Sequence, residues 1–554
     1  MILSKSKLTD YIFVSTFFGI LTTLLNYSFG NGDHLEQLPI IYKFYDSNYL
    51  VNDFFVTSNS NFSPRYYYAN LIAFLASFIN IPTLFFFGTL FSNISVSILT
   101  FLCGEHLFNS KKSGIIAAAM IMTIPTLYMG SSAVLYASMF TPTTLGFPLL
   151  LLSFYFLLKK KIIYSLLITG CISIFHILIG FEFGMLFLIT YLLADYTDKK
   201  SWISIVKKAS FGLIILVFLL PNIVPHFQNN QTIENNLFIE ILANFRHPHH
   251  YVLSDILAKK ELLRLVIFLI TFYFIYRFWR KNSGNSYHKV SISFIILSLF
   301  LCILFNWIFV ELIPVKLFTS LQLLRLLDIG KWLFILLLAN YIFKEWKRQT
   351  IHFSIVILGS IVLVTISSLS LIKMLFITLI FFAIIYLLFK RKRTALMLFS
   401  FIAISLVLIT NNLEYDSLKN YQKTYFKSAY LTNHQKNIST YIQKNTDSQS
   451  IFLVPYNFGF LRTESKRAIV TDFKAFPFQE TAMLEWYNRI KNCYGLNKKE
   501  FTKRYKEIYD EHILNLKELY EFDYAILHKE TITKFPVIYS DLEYKIIDLN
   551  SYAQ

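Results

Sequence analysis

The string Gly32-Asp33-His34-Leu35-Glu36-Gln37-Leu38-Pro39 puts two carboxylates and an imidazole within four residues, directly after the first apolar run of the chain. Ionisable groups beside a bilayer are costly to keep unless they do something. One carboxylate in such a place can act as general base toward an acceptor hydroxyl or amine, while the other holds a metal or orients the acceptor. A structural reading stands beside it: Asp-x-x-Glu is the spacing of a capping box, with Asp33 as N-cap of a helix opening at His34. The two readings are compatible if the helix N-terminus is what aims Asp33. Asp46 and Asp53, later in the same stretch, read as solvated carboxylates.

A second polar string, Phe245-Arg246-His247-Pro248-His249-His250-Tyr251, gathers three of the 12 histidines beside an arginine. Imidazoles in this number can hold a divalent metal or, with Arg246, a phosphate or pyrophosphate. Pro248 disfavours a continuous helix, so the side chains are expected to splay from a loop. The plainer alternative is an interfacial belt of His and Tyr at headgroup depth. Single ionisable residues add to the set. His176 and Glu182 flank a turn between two apolar runs. Arg325 and Asp328 open another, where an intrahelical ion pair is the simple reading of Asp328 and a phosphate contact that of Arg325. Arg65, before Tyr66-Tyr67-Tyr68, reads as an interfacial anchor.

These residues must be positioned by a membrane-spanning body. Hydrophobic residues make up 55% of 554, charged residues 16%, and mean hydropathy is +0.50. Apolar runs of roughly 20 residues, enough to cross ~30 Å of hydrocarbon, recur along most of the chain. They fall at about 9–29, 83–107, 113–135, 139–158, 162–177, 180–195, 203–221, 263–279, 290–311, 325–343, 351–367, 371–389 and 394–410, which gives about 13 transmembrane helices. Between them lie the basic clusters Lys111-Lys112, Lys159-Lys160-Lys161, Lys199-Lys200, Arg277 to Lys281, Lys344 to Arg348 and Lys390 to Arg393. With the N-terminus inside, as a retained signal anchor, every one of these clusters falls on the cytoplasmic side, as the positive-inside rule requires. The expected domains are therefore a transmembrane body, 1–410, with outer loops at 30–65 and 222–262, and an extracytoplasmic domain, 411–554.

The formal charge of +18 has the same origin. Residues 411–554 carry 20 Lys and Arg against 18 Asp and Glu, so the excess is scattered over the short loops of the body. That pattern argues against nucleic acid as a partner. The four cysteines lie far apart with no Cys/His metal spacing, so neither a disulfide framework nor structural zinc is expected. In the tail, helical patterning over 426–446 and 477–519 alternates with the short runs Ile451–Val454, Ala468–Val470, Tyr524–Leu527 and Tyr544–Ile547. Strands interleaved with helices predict an α/β domain of about 130 residues, large enough for its own core. It has no Gly-rich phosphate loop.

An acidic first outer loop, many spans and a C-terminal outer domain together resemble the GT-C superfamily of membrane glycosyltransferases, which use polyprenyl-phosphate-linked sugars. The span count is similar to that of oligosaccharyltransferase catalytic subunits, but their Trp-Trp-Asp motif is absent, the nearest string being Glu485-Trp486-Tyr487. The chain resembles most a group of uncharacterised bacterial multi-span proteins that share Asp33-His34-x-x-Gln37, Pro248-His249-His250 and Asp472-Phe473-Lys474-Ala475-Phe476-Pro477.

The resemblance implies a GT-C-like helical body with an outer α/β domain, in a bacterial inner membrane. It implies transfer of a sugar from a polyprenyl-phosphate-linked donor to a glycan, lipid or protein acceptor at the outer face. Asp33 and Glu36 would be the catalytic pair. His34, Arg246, His247, His249, His250 and Arg325 would bind the donor phosphate, and any divalent metal would sit on Asp33, Glu36 and His249. A transporter or flippase of lipid-linked or anionic substrates is the competing expectation. It is disfavoured because the charged clusters lie at the outer edge and no two-fold repeat is evident.

Overall fold

The protein is known from a computed structural model, which describes residues 8–60, 63–124, 126–129, 132–134, 136–199, 202–228, 233–257, 259–346, 351–365 and 430–550. Two expected spans, 371–389 and 394–410, and the end of a third lie outside these residues. So does the expected domain boundary at 410.

Local signals set the helix ends. Asn80 accepts the Thr83 amide to open the long helix Ile81–Phe108, which closes on Asn109 in the left-handed region at φ 50°. Ser110 immediately caps Lys111–Thr123, and the two helices pack together along their length. Thr141 and Thr144 form a reciprocal capping box at the start of Pro142–Leu158. Among the described residues, seven helices are long and apolar enough to cross a membrane, with Pro142–Leu158 and Ile162–Phe175 as shorter apolar helices beside them. The chain is an integral membrane protein with a mostly helical body.

Two expected spans are corrected. The run 113–135 is helical only to Thr123, because Pro125 drives Ile124 into extended backbone, at φ −80° and ψ 110°. Beyond the proline the chain forms an antiparallel pair, β1 (Thr126–Met129) and β2 (Ser132–Val134). The turn expected after 177 shrinks to the single residue His176, between Ile162–Phe175 and Ile177–Lys199.

Among the described residues, Lys112, Lys159 and Lys160, from two of the basic clusters, share one end of the body. His106 meets Tyr155 and His288 there, with ring centroids 6.0 and 5.4 Å away. Lys159 lies over Tyr155, Lys160 over Tyr287 and Lys112 over Phe343. The opposite end carries the folded first loop, whose helices are His34–Tyr45, Phe54–Ser60 and Tyr66–Ala76.

The C-terminal residues form a five-stranded sheet in the order β4-β3-β5-β7-β6: β3 Ile451–Leu453, β4 Ala468–Ile469, β5 Tyr524–His528, β6 Val537–Ser540 and β7 Tyr544–Asp548. β3 runs parallel to β4 and β5; β7 pairs antiparallel with β5 and β6. Helices Asn433–Asn445, Glu480–Tyr494 and Asp510–Tyr520 flank it. The four strands expected from the alternation are present, and the edge strand β6 is additional. The long helical stretch over 477–519 is broken at Gly495, which adopts φ +82°.

The sheet domain is fastened to the first loop by buried ions. The Arg462 Nε donates to Asp53 Oδ2 at 2.7 Å and its Nη1 donates to Asp472 Oδ1. All three side chains are at most 1% exposed. Asp53 also accepts the amides of Val56 and Ile469, so it is a buried tie and not the solvated carboxylate expected. Asp472 Oδ2 accepts the amides of Lys474 and Ala475, each at 3.0 Å. Gly459 is required beside it, since a Cβ there would meet Asp472 Oδ2 at 2.7 Å.

Candidate active site

Asp33 is presented by a tight turn. Gly30 and Gly32 adopt φ +78° and +54°, conformations open to glycine at no steric cost, and the helix His34–Tyr45 begins at once. Asp33 takes the N-cap position, but its side chain makes no capping hydrogen bond. It turns instead to Lys474, whose Nζ donates to Oδ1 at 2.7 Å. The position that the capping box predicts is therefore occupied while the side chain is left for other work.

Asp33 lines a cavity of about 710 Å3 between the helical body and the sheet domain. Its side chain keeps 54% of its surface open, although protein surrounds the carboxylate closely. Burial pushes this carboxyl up, but the Lys474 ammonium, with its hydrogen bond, and Arg65 and His34 together outweigh it and hold the pKa at about 2. The Asp33–Lys474 contact is consequently complete above the ordinary carboxylate range and is lost only as pH falls through about 2.

Arg65, His176, His250, Gln322 and Arg325 line the same cavity, as do Lys316 and Glu480, which pair with each other at 2.6 Å. Arg325 is aimed by a relay. Gln322, held at φ 51°, accepts from Arg325 Nε and donates to the Tyr251 hydroxyl at the end of the histidine string. The Arg325 Nη1 lies 3.4 Å from His176 Nε2. Among the described residues no carboxylate lies within ion-pair distance of Arg325, although the buried Glu182 is near enough to feel its charge, and the intrahelical pair expected with Asp328 is absent: Asp328 pairs with Lys331 at 2.7 Å. Apolar residues such as Val96, Phe147, Ile177 and Phe238 complete the walls.

The other expected site residues stand behind this cavity, not in it. Glu36 is 4% exposed and its carboxylate is met by three cations: Arg65 at 2.5 Å, Arg246 at 3.2 Å and Lys474 at 3.4 Å. Expected beside Asp33 as a catalytic partner, it is instead the hub that ties the first loop, the histidine string and the sheet domain together. His34 is fully buried, accepting the Gly30 amide on Nδ1 at 3.0 Å and meeting the Phe140 carbonyl through Nε2 at 3.1 Å. Both ring nitrogens are engaged, burial lowers its pKa to about 4, and it does not line the cavity. Arg246 is buried as well, donating to Glu36 and, at 2.7 Å, to the Lys474 carbonyl, over the rings of Phe473 and Phe476. Its charge is already engaged, which removes it from the expected phosphate contacts.

The histidine string forms no open loop. Glu240–Arg246 is a π-helical turn, and Pro248–Tyr251 a short helix with Pro248 in its first turn. His247 and His249 do not line the cavity; His250 does. Burial, then Arg246 and the two neighbouring imidazoles, hold His247 well below its usual range. Burial and Arg246 lower His249 too, and burial with His249 and Arg325 brings His250 to about 3. All three are neutral at physiological pH.

The acidic metal set expected on Asp33, Glu36 and His249 does not assemble, because both carboxylates are taken up by cations. Among the described residues, the cluster that brings three such groups together is His247, His249 and His250. Arg65 and Lys474, which the sequence presented as an anchor and part of a tail motif, are the cations that shape the Asp33 environment. For Lys474 the tail motif was the only sequence signal.

A family model described as a domain of unknown function, DUF6798, matches residues 434–493, which hold β3, β4 and Lys474. No curated protein matches the chain. Among solved structures, the chain is similar to ArnT from Cupriavidus metallidurans, a crystal structure bound to undecaprenyl phosphate, at a TM-score of 0.50 and 10% identity, covering 97% of each chain. Two structures of the Archaeoglobus fulgidus oligosaccharyltransferase also match. One is tethered to an acceptor peptide (TM-score 0.39) and one, AglB, is in complex with an inhibitory peptide and a dolichol-phosphate (0.42); both are 11% identical and cover 94% of this chain and 69% of theirs. The full-length correspondence with ArnT shows the architecture: the helical body with its appended sheet domain is a GT-C fold.

Proposed function

We propose that the protein is a membrane glycosyltransferase that moves a sugar from a polyprenyl-phosphate-linked donor to a glycan, lipid or protein acceptor, at the membrane face that bears the sheet domain. By the positive-inside rule that face is the outer one, opposite the basic clusters. The observation that carries the reading is the convergence of Asp33, Arg325 and His250, from three distant parts of the chain, on one cavity with apolar walls. A volume of about 710 Å3 suits a sugar phosphate with the first part of a lipid chain. The GT-C fold and the lipid phosphate in ArnT support the same substrate class.

In this reaction the acceptor oxygen attacks the anomeric carbon and the bond from that carbon to the phosphate oxygen breaks. The electron pair leaves on the lipid phosphate, and a single displacement inverts the anomeric carbon. Arg325, which no described carboxylate approaches within ion-pair distance and whose Nε is held by Gln322, receives the departing phosphate on its terminal guanidinium nitrogens. Asp33, ionised at all physiological pH, accepts the hydrogen bond of the incoming O–H and takes its proton late, when bond formation has made that proton acidic. The Lys316–Glu480 pair lies close enough to contact the sugar or acceptor.

The test uses full-length protein in liposomes with a labelled polyprenyl-phosphate sugar pool. Labelled acceptor and free polyprenyl phosphate are the expected products; movement of the lipid-linked sugar across the bilayer with no covalent product would sink the proposal in favour of a flippase. Arg325→Lys keeps the charge but loses the planar fork, so it is expected to lower kcat/KM by about tenfold to a hundredfold, mostly through donor KM. An unchanged donor KM would remove Arg325 from the phosphate site. Lys474→Met removes the main group that lowers the Asp33 pKa and leaves the opposing burial in place. The acid limb of the transfer–pH profile should then shift to higher pH, and an unshifted limb would separate Asp33 from the reaction.

A further inference from the structure

We infer that His247, His249 and His250 form a binding site for a divalent first-row transition metal of the Zn2+ type. One ligand nitrogen from each ring lies within 4.8 Å of the other two. The rings are close: centroids are 4.0 Å apart for His249 and His250, 5.5 Å for His247 and His250, and 6.0 Å for His247 and His249. Zinc–imidazole bonds of about 2.0–2.1 Å need nitrogens near 3.4 Å apart, a contraction that side-chain rotation supplies.

A second observation points to a missing ligand. His247 Nε2 and His250 Nδ1 are buried and have no hydrogen-bond partner among the described residues. Buried polar atoms are nearly always satisfied, so two of them within one cluster of three imidazoles need an explanation. A metal supplies it, and neutral imidazoles are the form that ligates. Ligation through His247 Nε2 leaves the proton on Nδ1, so the long 3.4 Å contact of that atom with Arg246 opens.

The surrounding cations do not forbid the ion. Arg246 pairs with Glu36, and Lys474 with Asp33 and Glu36, which offsets part of the positive charge that these two, Lys498 and Arg325 set around the rings. Three protein ligands with a free fourth position are the pattern of a reactive or ligand-binding metal, in contrast to a closed structural one. His250 reaches the cavity, which gives the fourth ligand a route in.

Metal binding is read without turnover, so this inference stands or falls separately from the transfer reaction. The experiment titrates Co2+ into full-length, tag-free, chelator-stripped protein in detergent and follows the visible ligand-field bands, with Zn2+ as competitor. The wild type is expected to take up one Co2+ per chain, displaced by Zn2+, with a rise in melting temperature. His249→Ala changes an exposed side chain and should weaken binding by at least about tenfold, as should His250→Ala. Melting of the metal-free variants at the wild-type temperature establishes that they fold; if His250→Ala does not, His249→Ala decides alone. Asp33→Asn should leave the Co2+ affinity in place. No stoichiometric Co2+ in the wild type, unchanged affinity in His249→Ala, or affinity lost in Asp33→Asn but kept in His249→Ala would each overturn the site.

Discussion

Asp33→Asn is expected to cut sugar transfer by about 10²–10⁴-fold, the usual contribution of a positioned acid–base group, while the chain still inserts and folds. The substitution keeps size and shape. Asparagine tolerates the N-cap position, and Lys474 keeps Glu36 as a partner at 3.4 Å, so the ion cluster behind the cavity survives. What disappears is the carboxylate that faces the cavity from the first loop with more than half its side-chain surface open. The measurement is initial rate in liposomes, alongside the melting temperature of the same preparation. A fully active Asp33→Asn protein would remove Asp33 from the mechanism. Glu36→Gln is the informative contrast. It strips the hub from Arg65, Arg246 and Lys474, so it should lower the melting temperature as well as the rate.

The largest loss of stability is expected at Arg462. Its guanidinium is 1% exposed, lies over the Phe55 ring at 5.2 Å and is shared between Asp53 and Asp472. Arg462→Met fills much of the volume but leaves two carboxylates buried without their cation. Removing one partner of a buried ion pair costs about 3–5 kcal/mol, chiefly through the stranded charge. Arg462→Lys keeps the charge but cannot fork to both acids, so it should fall between Met and the wild type. Proteolytic susceptibility of residues 430–550, measured against denaturant in detergent, reads the effect. Because Asp472 also sets the turn that carries Lys474, loosening at Arg462 should raise the donor KM too. A wild-type denaturation midpoint for Arg462→Met would mean that the sheet domain does not depend on this tie.

The elements were far more legible than the contacts between them. Pro125 illustrates the limit on spans: hydropathy continues to 135, but a proline ends the helix at once. Asp53 illustrates the limit on residues. A lone aspartate in a polar loop reads as solvated, and only the arrival of Arg462 from 409 positions away makes it a buried tie. His34 reads as a phosphate ligand by proximity to Asp33, yet successive residues on a helix point to different sides. That alone sends His34 into the core toward Phe140 and Asp33 into the cavity.

By itself the sequence determined the apolar runs that become helices among the described residues, the four strands expected in the tail, and the N-cap position of Asp33. Each depends on neighbours within a few residues, through hydrophobic period, capping and allowed backbone angles. The tertiary structure alone decided which charges face the cavity. Glu36 became a hub because cations from positions 65, 246 and 474 close on it, and Arg325 became an open donor because Gln322 and Tyr251 aim it. Those outcomes rest on desolvation and Coulomb attraction between groups far apart in the chain, which no local pattern encodes.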